Sequence, residues 1–355
     1  MRHAKRLLGF LIVFLMIQTV ALSGLEITNG KMKLVIYETT GRFSLYLLED
    51  VRKNLYTPLF LAQDPRTTVL TVLVNNKVFR MGEAAEFVQT VEQTVQGARI
   101  VWKSPQLEVT EEFTFIKSKQ SALSDGVSIS ITLRNISEQD LSLGIRYLFD
   151  THLGEKANAH FILSDGREIK SELELTRPLP LYLVSRVDTL VGFQCMLSSE
   201  GVTQPDRVVF ANWKRMNDSS WTFESSQARN FNLLPYSVND SAVFLYYNPI
   251  SVLSSGTRSI KIAVGNFTPD GFSTGEGGGE SSAISTLYNQ AVVASSGPAD
   301  SLEISVRTDL ISISDLIREL DKKLSMASPI TEEEIIVYRQ ILEELQKRKA
   351  AYEGK

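Results

Sequence analysis

Cysteine is nearly missing from this chain of 355 residues, with Cys195 its only example. No intrachain disulfide can form, so the fold must be held by its core. Around that thiol runs Val191-Gly192-Phe193-Gln194-Cys195-Met196-Leu197, which reads as a buried strand with cysteine as a small hydrophobe. Histidine is scarce as well, at three residues. A basic excess is lacking, since the formal net charge is -4, and nucleic acid is not an expected partner. The chain has no phosphate loop, no dinucleotide glycine fingerprint, no G-x-S-x-G elbow, and neither H-E-x-x-H nor an EF-hand loop. No cofactor and no metal are therefore expected. Beyond residue 23 no apolar run is long enough to cross a bilayer.

The one long apolar run is at the start. Arg2, His3, Lys5 and Arg6 precede an almost wholly apolar Leu7 to Val20, and Ala21-Leu22-Ser23 offers small residues for cleavage. This order predicts a signal peptide over residues 1–23, cleaved after Ser23. Export without disulfides fits a bacterial envelope, periplasmic or extracellular. Asn135, Asn217, Asn239 and Asn266 begin N-x-S/T triplets and are read as turn residues in that setting.

From Leu25 to Asn266 short strands follow one another with little helical periodicity. Asn29-Gly30 between two apolar runs predicts a tight hairpin, and Asn75-Asn76 another. Val127 to Leu133 alternates apolar and polar residues, as does Leu141 to Asp150. A two-layer antiparallel β-sandwich over 24–267 is the expected body. Glycines crowd 268–282, which predicts a linker, and 283–311 is an uncertain connecting segment. Two amphipathic helices, a helical hairpin over 312–355, are expected to end the chain. The first has Ser312 and Asp315 at capping-box spacing and a stripe of Leu316, Ile317, Leu320 and Leu324. The second has Thr331 and Glu334, with Ile335, Tyr338, Leu342 and Leu345. Two such stripes need something to dock on, an envelope protein or a second copy of the chain.

Candidate functional residues gather where the Leu141 strand runs out. Period two puts Leu143, Ile145, Tyr147 and Phe149 on one face and Arg146, Asp150 and, if the strand persists, His152 on the other. Glu155 and His160 follow closely. Such a cluster can bind a ligand or metal, or simply hold a loop, with Arg146 neutralising Asp150. A carboxylate pair for glycosidic chemistry could be drawn from Asp150, Glu155 and Asp240. A further set, Trp213, Lys214 and Arg215 with Trp221, Tyr236, Tyr246 and Tyr247, suits the apolar faces of sugars; the plain alternative is packing, least readily for Trp213 in its polar loop.

The early hairpin Ile27-Thr28-Asn29-Gly30, the long strand series and the strand-to-loop stretch with Arg146, Asp150 and His152 resemble the galactose-mutarotase-like β-supersandwich superfamily. That resemblance covers about two-thirds of the chain. It implies carbohydrate binding on the concave face of one sheet, or a purely architectural sandwich. The His acid and Glu base of the mutarotases have no matching positions here, so it does not imply an epimerase.

Two readings of function follow. One is an exported, non-enzymatic binding or structural module, with glycan or an envelope protein as partner and self-association through 312–355. The other is a carbohydrate-active enzyme, mutarotase- or glycosidase-like, using Asp150, His152 and Glu155.

Overall fold

The computed structural model describes residues 24–61, 67–119, 121–186, 188, 190–272, 274, 283–293, 302–325 and 329–353. The predicted signal peptide and residues 275–282 of the predicted linker lie outside them. Among the described residues no helix is long and apolar enough to cross a membrane.

Strands dominate, as the short alternating runs require. β1 (Gly24–Asn29), β2 (Met32–Tyr37), β3 (Arg42–Asp50) and β4 (Leu55–Pro58) form a four-stranded meander. Next come β5 (Val69–Val74), β6 (Lys77–Arg80), β7 (Val88–Thr94), β8 (Gly97–Lys103), β9 (Leu107–Ile116), β10 (Gly126–Asn135) and β11 (Leu141–Thr151). After these are β12 (Phe161–Leu163), β13 (Glu168–Ile169), β14 (Leu173–Thr176), β15 (Tyr182–Arg186) and β16 (Gly192–Met196). The series closes with β17 (Arg207–Asn212), β18 (Ser241–Val252) and β19 (Thr257–Asn266). A nine-stranded sheet runs β13-β12-β15-β16-β19-β10-β9-β8-β7, and a six-stranded sheet runs β14-β17-β18-β11-β5-β6. Their pairings are antiparallel throughout.

One apolar cluster draws on all three sheets. Val127, Ile129, Ile131 and Leu133 enter it from β10, and Leu143, Ile145, Tyr147 and Phe149 from β11, the faces that period two assigned. Tyr147 stacks on Phe149 with ring centroids 4.5 Å apart. Cys195 is fully buried in this core, and burial pushes its thiol above its ordinary range.

A carboxylate also enters this core. Glu111 occupies an inward place on β9 between Val109 and Phe113, where Tyr147 Oη donates to its Oε1 at 2.6 Å. Burial raises its carboxyl to about 7, opposed by the Tyr147 hydrogen bond and the charge of Arg42. Arg42 is itself buried and pairs with Glu83 at 2.9 Å.

The hairpin from β1 to β2 turns one residue later than expected. Asn29 pairs with Met32, so the loop is Gly30-Lys31, and only Gly30 takes the left-handed conformation, with φ of 60°. Position 30 also lacks room, because a Cβ there would lie 2.4 Å from the Ser124 amide nitrogen. Trp221 to Glu224 is irregular, and the polar loop expected around Trp213 is mostly helix, α1 (Trp213–Asp218). Asn212 explains α1: its side-chain oxygen accepts the Arg215 amide as an N-cap.

The C-terminal region holds α2 (Ala283–Tyr288), continued by a π-helical turn over Asn289–Val293, then α3 (Leu302–Ser325) and α4 (Glu332–Glu353). Helix α3 starts ten residues before the expected capping box. Ser312 lies in mid-helix and donates back to the Thr308 carbonyl at 3.0 Å, so its hydroxyl caps nothing. Thr331 does cap α4: its hydroxyl accepts the Glu334 amide at 3.2 Å, and Glu334 accepts the Thr331 amide at 3.0 Å. Ile284, Leu287, Ala291, Leu316, Val337, Tyr338, Ile341 and Leu345 pack together with Leu48, Ala122 and Leu123 of the sandwich. The helices thus dock on their own β-body, while Ile317, Leu324, Ile335 and Leu342 of the expected stripes stay exposed.

A raised Glu111 makes folding favour its protonated form. The contribution is greatest below the ordinary glutamate range near 4.5 and falls as pH rises through about 7. Denaturant unfolding at pH 5 and pH 8 should show wild type losing on the order of 3 kcal/mol more than Glu111→Gln across that interval.

Candidate functional site

The strand-end cluster is split by the fold into a closed part and a half-open part. Arg146 projects from the outer face of the six-stranded sheet, away from the core, as its position in β11 predicts. That face is not open. Met216 and Phe223, with Trp213 and Trp221, pack over it and bury Val69, Leu148, Val209, Phe244 and Tyr246. Arg146 is 1% exposed; its guanidinium donates to the Trp221 carbonyl at 2.7 Å and reaches Ser219 at 3.3 Å. Its cationic carbon lies 4.3 Å from the centroid of Phe244. Burial lowers its affinity for a proton, against the pull of Tyr246. This arginine holds the cover down with carbonyls and aromatic faces.

Asp150 is buried on the same face; Thr68 Oγ1 accepts its amide hydrogen at 3.2 Å. The strand stops at Thr151, and His152 sits in the bend before a 3-10 turn, Leu153–Lys156, so it leaves the row of Arg146 and Asp150. His152 is half-buried, and burial, with Lys156 second, lowers its pKa. Gly154 lets the turn pass against the next strand: a Cβ there would meet the His160 carbonyl oxygen at 2.1 Å. His160 is buried with its ring centroid 4.5 Å from that of Phe231, and desolvation holds its pKa down. It packs against the cover.

Trp213 and Arg215 are likewise spent on structure. Trp213 Nε1 donates to the Thr67 carbonyl at 3.0 Å. Arg215 meets Glu172 at 2.7 Å and also donates to the carbonyls of Asn230 and Asn232. Glu172 has no exposed side-chain surface, and Arg229 grips its other oxygen at 2.8 Å. Arg80 reaches across to the Asn217 side chain at 2.7 Å, so Asn217 serves as a brace. Asn135 bonds three carbonyls, Asn239 takes a φ of 52°, and Asn266 accepts the Gly192 amide. Tyr246 Oη donates to the Trp221 carbonyl at 2.9 Å.

What the fold does bring together is Glu155 with Asp240. Glu155 Oε1 accepts the Ser241 amide at 3.0 Å, which sets its carboxyl beside Asp240. Burial first, and Asp240 second, raise Glu155 to about 7, against the Ser241 hydrogen bond. Burial also raises Asp240, against a hydrogen bond from Ser237. Next to them the loop Leu233–Asn239 exposes Leu234, Tyr236 and Val238. Among the described residues no group of three or more His, Cys, Asp or Glu is placed to hold a metal ion. Glu172 and Arg229 escaped the sequence reading, because a buried ion triad between a short strand and an irregular segment leaves no periodic signal.

No family model matches the chain, and no curated protein matches it. Solved structures do. A galactose mutarotase related enzyme from Lactobacillus acidophilus overlaps 70% of this chain and 98% of its own, with 9% identity and a TM-score of 0.43. A galactose mutarotase-like protein from Lactobacillus casei overlaps 69% and 100%, with 13% identity and a TM-score of 0.33. An alpha-N-acetylgalactosaminidase from Bifidobacterium bifidum overlaps 77% of this chain and 39% of its own, with 12% identity and a TM-score of 0.39. The antiparallel sheets expected from the strand series are present, and these likenesses assign no chemistry to any residue.

Removing Glu172 would take the shared carboxylate from Arg215 and Arg229, which keep 16% and 44% side-chain exposure and their carbonyl partners. Glu172→Ala should lose about 1 to 3 kcal/mol of stability in urea unfolding. Limited proteolysis of that variant should cut first within 219–240, which wild type resists.

Proposed function

We propose that this chain is an exported, non-enzymatic β-sandwich module of the cell envelope that acts by binding through its C-terminal helices. One observation carries the reading. The sheet face that could form a cleft is covered by residues 213–240, and Arg146, Trp213 and Arg215 are committed to holding that cover. Helices α3 and α4 together leave a run of large apolar side chains to solvent, at Leu310, Ile313, Ile317, Leu324, Ile336 and Leu342. Export is supported by the basic, then apolar, then small-residue order of residues 1–23.

A photo-crosslinking side chain placed at Ile313 or Ile336 in cells should give discrete protein adducts in the envelope fraction. The same group at Tyr236 should give none. Adducts from Tyr236 alone would overturn the reading.

A second reading is supported by the Glu155 and Asp240 pair. Two half-buried carboxyls with raised pKa values beside an exposed Tyr236 could take a saccharide at the end of the six-stranded sheet. It predicts a rise in melting temperature with saturating mono- or oligosaccharides that disappears in Glu155→Gln and Asp240→Asn. An equal shift in both variants, or no shift in wild type, removes it.

A further inference from the structure

Helix α3 is turned around relative to an ordinary docked helix. Asp309, Ser312 and Leu316 face its own domain, two of the three being polar, yet all three are buried. Leu310, Ile313, Ile317 and Leu324 face solvent, at 62%, 39%, 54% and 71% exposure. With Leu320, which is half-buried against the helical cluster of its own chain, these residues recur at alternating spacings of three and four, the a and d positions of a coiled-coil seam. A helix that buries polar residues and exposes its heptad seam is half of an interface.

The flanks of that seam select the occupant. On one side lie Asp309, Leu316 and Lys323, the g positions. That side is taken by α4 of the same chain: Asp309 bonds Arg348 at 2.9 Å and Tyr352 at 2.8 Å, and Lys323 bonds Glu334 at 2.6 Å. On the other side lie Arg307, Ser314 and Asp321, the e positions, all exposed. A parallel partner would set its g flank beside this e flank, and in a second copy the g flank is occupied. An antiparallel partner sets e beside e, which is open, and g beside g, so that α4 of both copies falls on one side of the seam and the other side stays free.

We infer that α3 pairs antiparallel with α3 of a second copy, forming a two-fold dimer through the seam of Leu310, Ile313, Ile317, Leu320 and Leu324. This rests on the reading of the helices as the binding surface and names the partner. Setting Ile313 against Ile317 of the second copy puts Leu310 against its Leu320 and Val306 against its Leu324. Ser314 then falls at the two-fold axis, and Arg307 of each copy lies opposite Asp321 of the other. A single surface thus matches itself in both shape and charge, as an isologous interface requires. With α4 of each copy on the shared g side of the seam, the junction brings four helices together.

The test uses the full chain and light scattering with size exclusion. Wild type should have twice the chain mass in the micromolar range, and Ile317→Asp/Leu324→Asp should fall to one chain mass with unchanged circular dichroism and melting. Arg307→Asp or Asp321→Arg alone should weaken the dimer at least tenfold, and the double exchange should restore it. Ser314→Cys should give a disulfide-linked dimer on mild oxidation, because Cys195 is buried and cannot compete. A wild-type monomer, a dimer that survives Ile317→Asp/Leu324→Asp, a double exchange without rescue, or no link through Cys at 314 would each overturn the pairing. A monomer that still gives adducts with another envelope protein from Ile313 leaves the binding reading standing, whereas a monomer with no adducts removes both.

Discussion

Glu172 has no contact with water, and two guanidiniums from one stretch of chain, Arg215 and Arg229, close on its two oxygens. A buried carboxylate so placed cannot be left unpaired without a large cost, so the stretch that carries its partners is bound to the sheet. From that constraint the rest of the outer face follows. Trp221 is delivered over β11, its carbonyl meets Arg146, and the aromatic rings of Phe244 and Tyr246 take the remaining faces of the cation. The outer face of the six-stranded sheet thereby becomes a second, smaller core.

The same logic separates the two ends of the molecule. The sandwich has used its polar groups inward, even to the point of placing Glu111 and Tyr147 between its sheets. The helices have done the reverse and hold apolar groups outward. Surface that is expensive to leave wet marks where another molecule belongs, and buried polar groups that are fully partnered mark where none is needed.

Much of the β-body was legible because period two leaves an unambiguous trace. The facing of β10 and β11, and the direction of Arg146 and Asp150, follow from alternation alone. The Thr331 cap was legible for a similar reason, since a hydroxyl and a carboxylate three residues apart satisfy each other's backbone. The site was less legible. Nothing local says that Trp213 reaches the Thr67 carbonyl, 146 residues away in sequence, or that His152 leaves the strand at its last step, which depends on where a ladder ends. Ser312 misled because a hydroxyl can bond its own helix as well as begin one. Glu111 was passed over in the sequence, and its place in the core is explained by the hydrogen bond from Tyr147.

The first hairpin is finished by the last helix. Gly30 donates its amide to Asn289, Lys31 reaches Glu333 at 3.3 Å, and Glu333 also accepts the Ala122 amide at 2.9 Å. Those contacts span between 211 and 302 residues of sequence. Closing them early would demand long loops with little to reward them, so they form late, after the sheets have assembled. A chain that emerges from its N-terminus therefore keeps its opening turn unfinished until nearly all of it has emerged. Residence of the intermediate, with Leu48 and Leu123 still uncovered, is set by how quickly the final helix arrives.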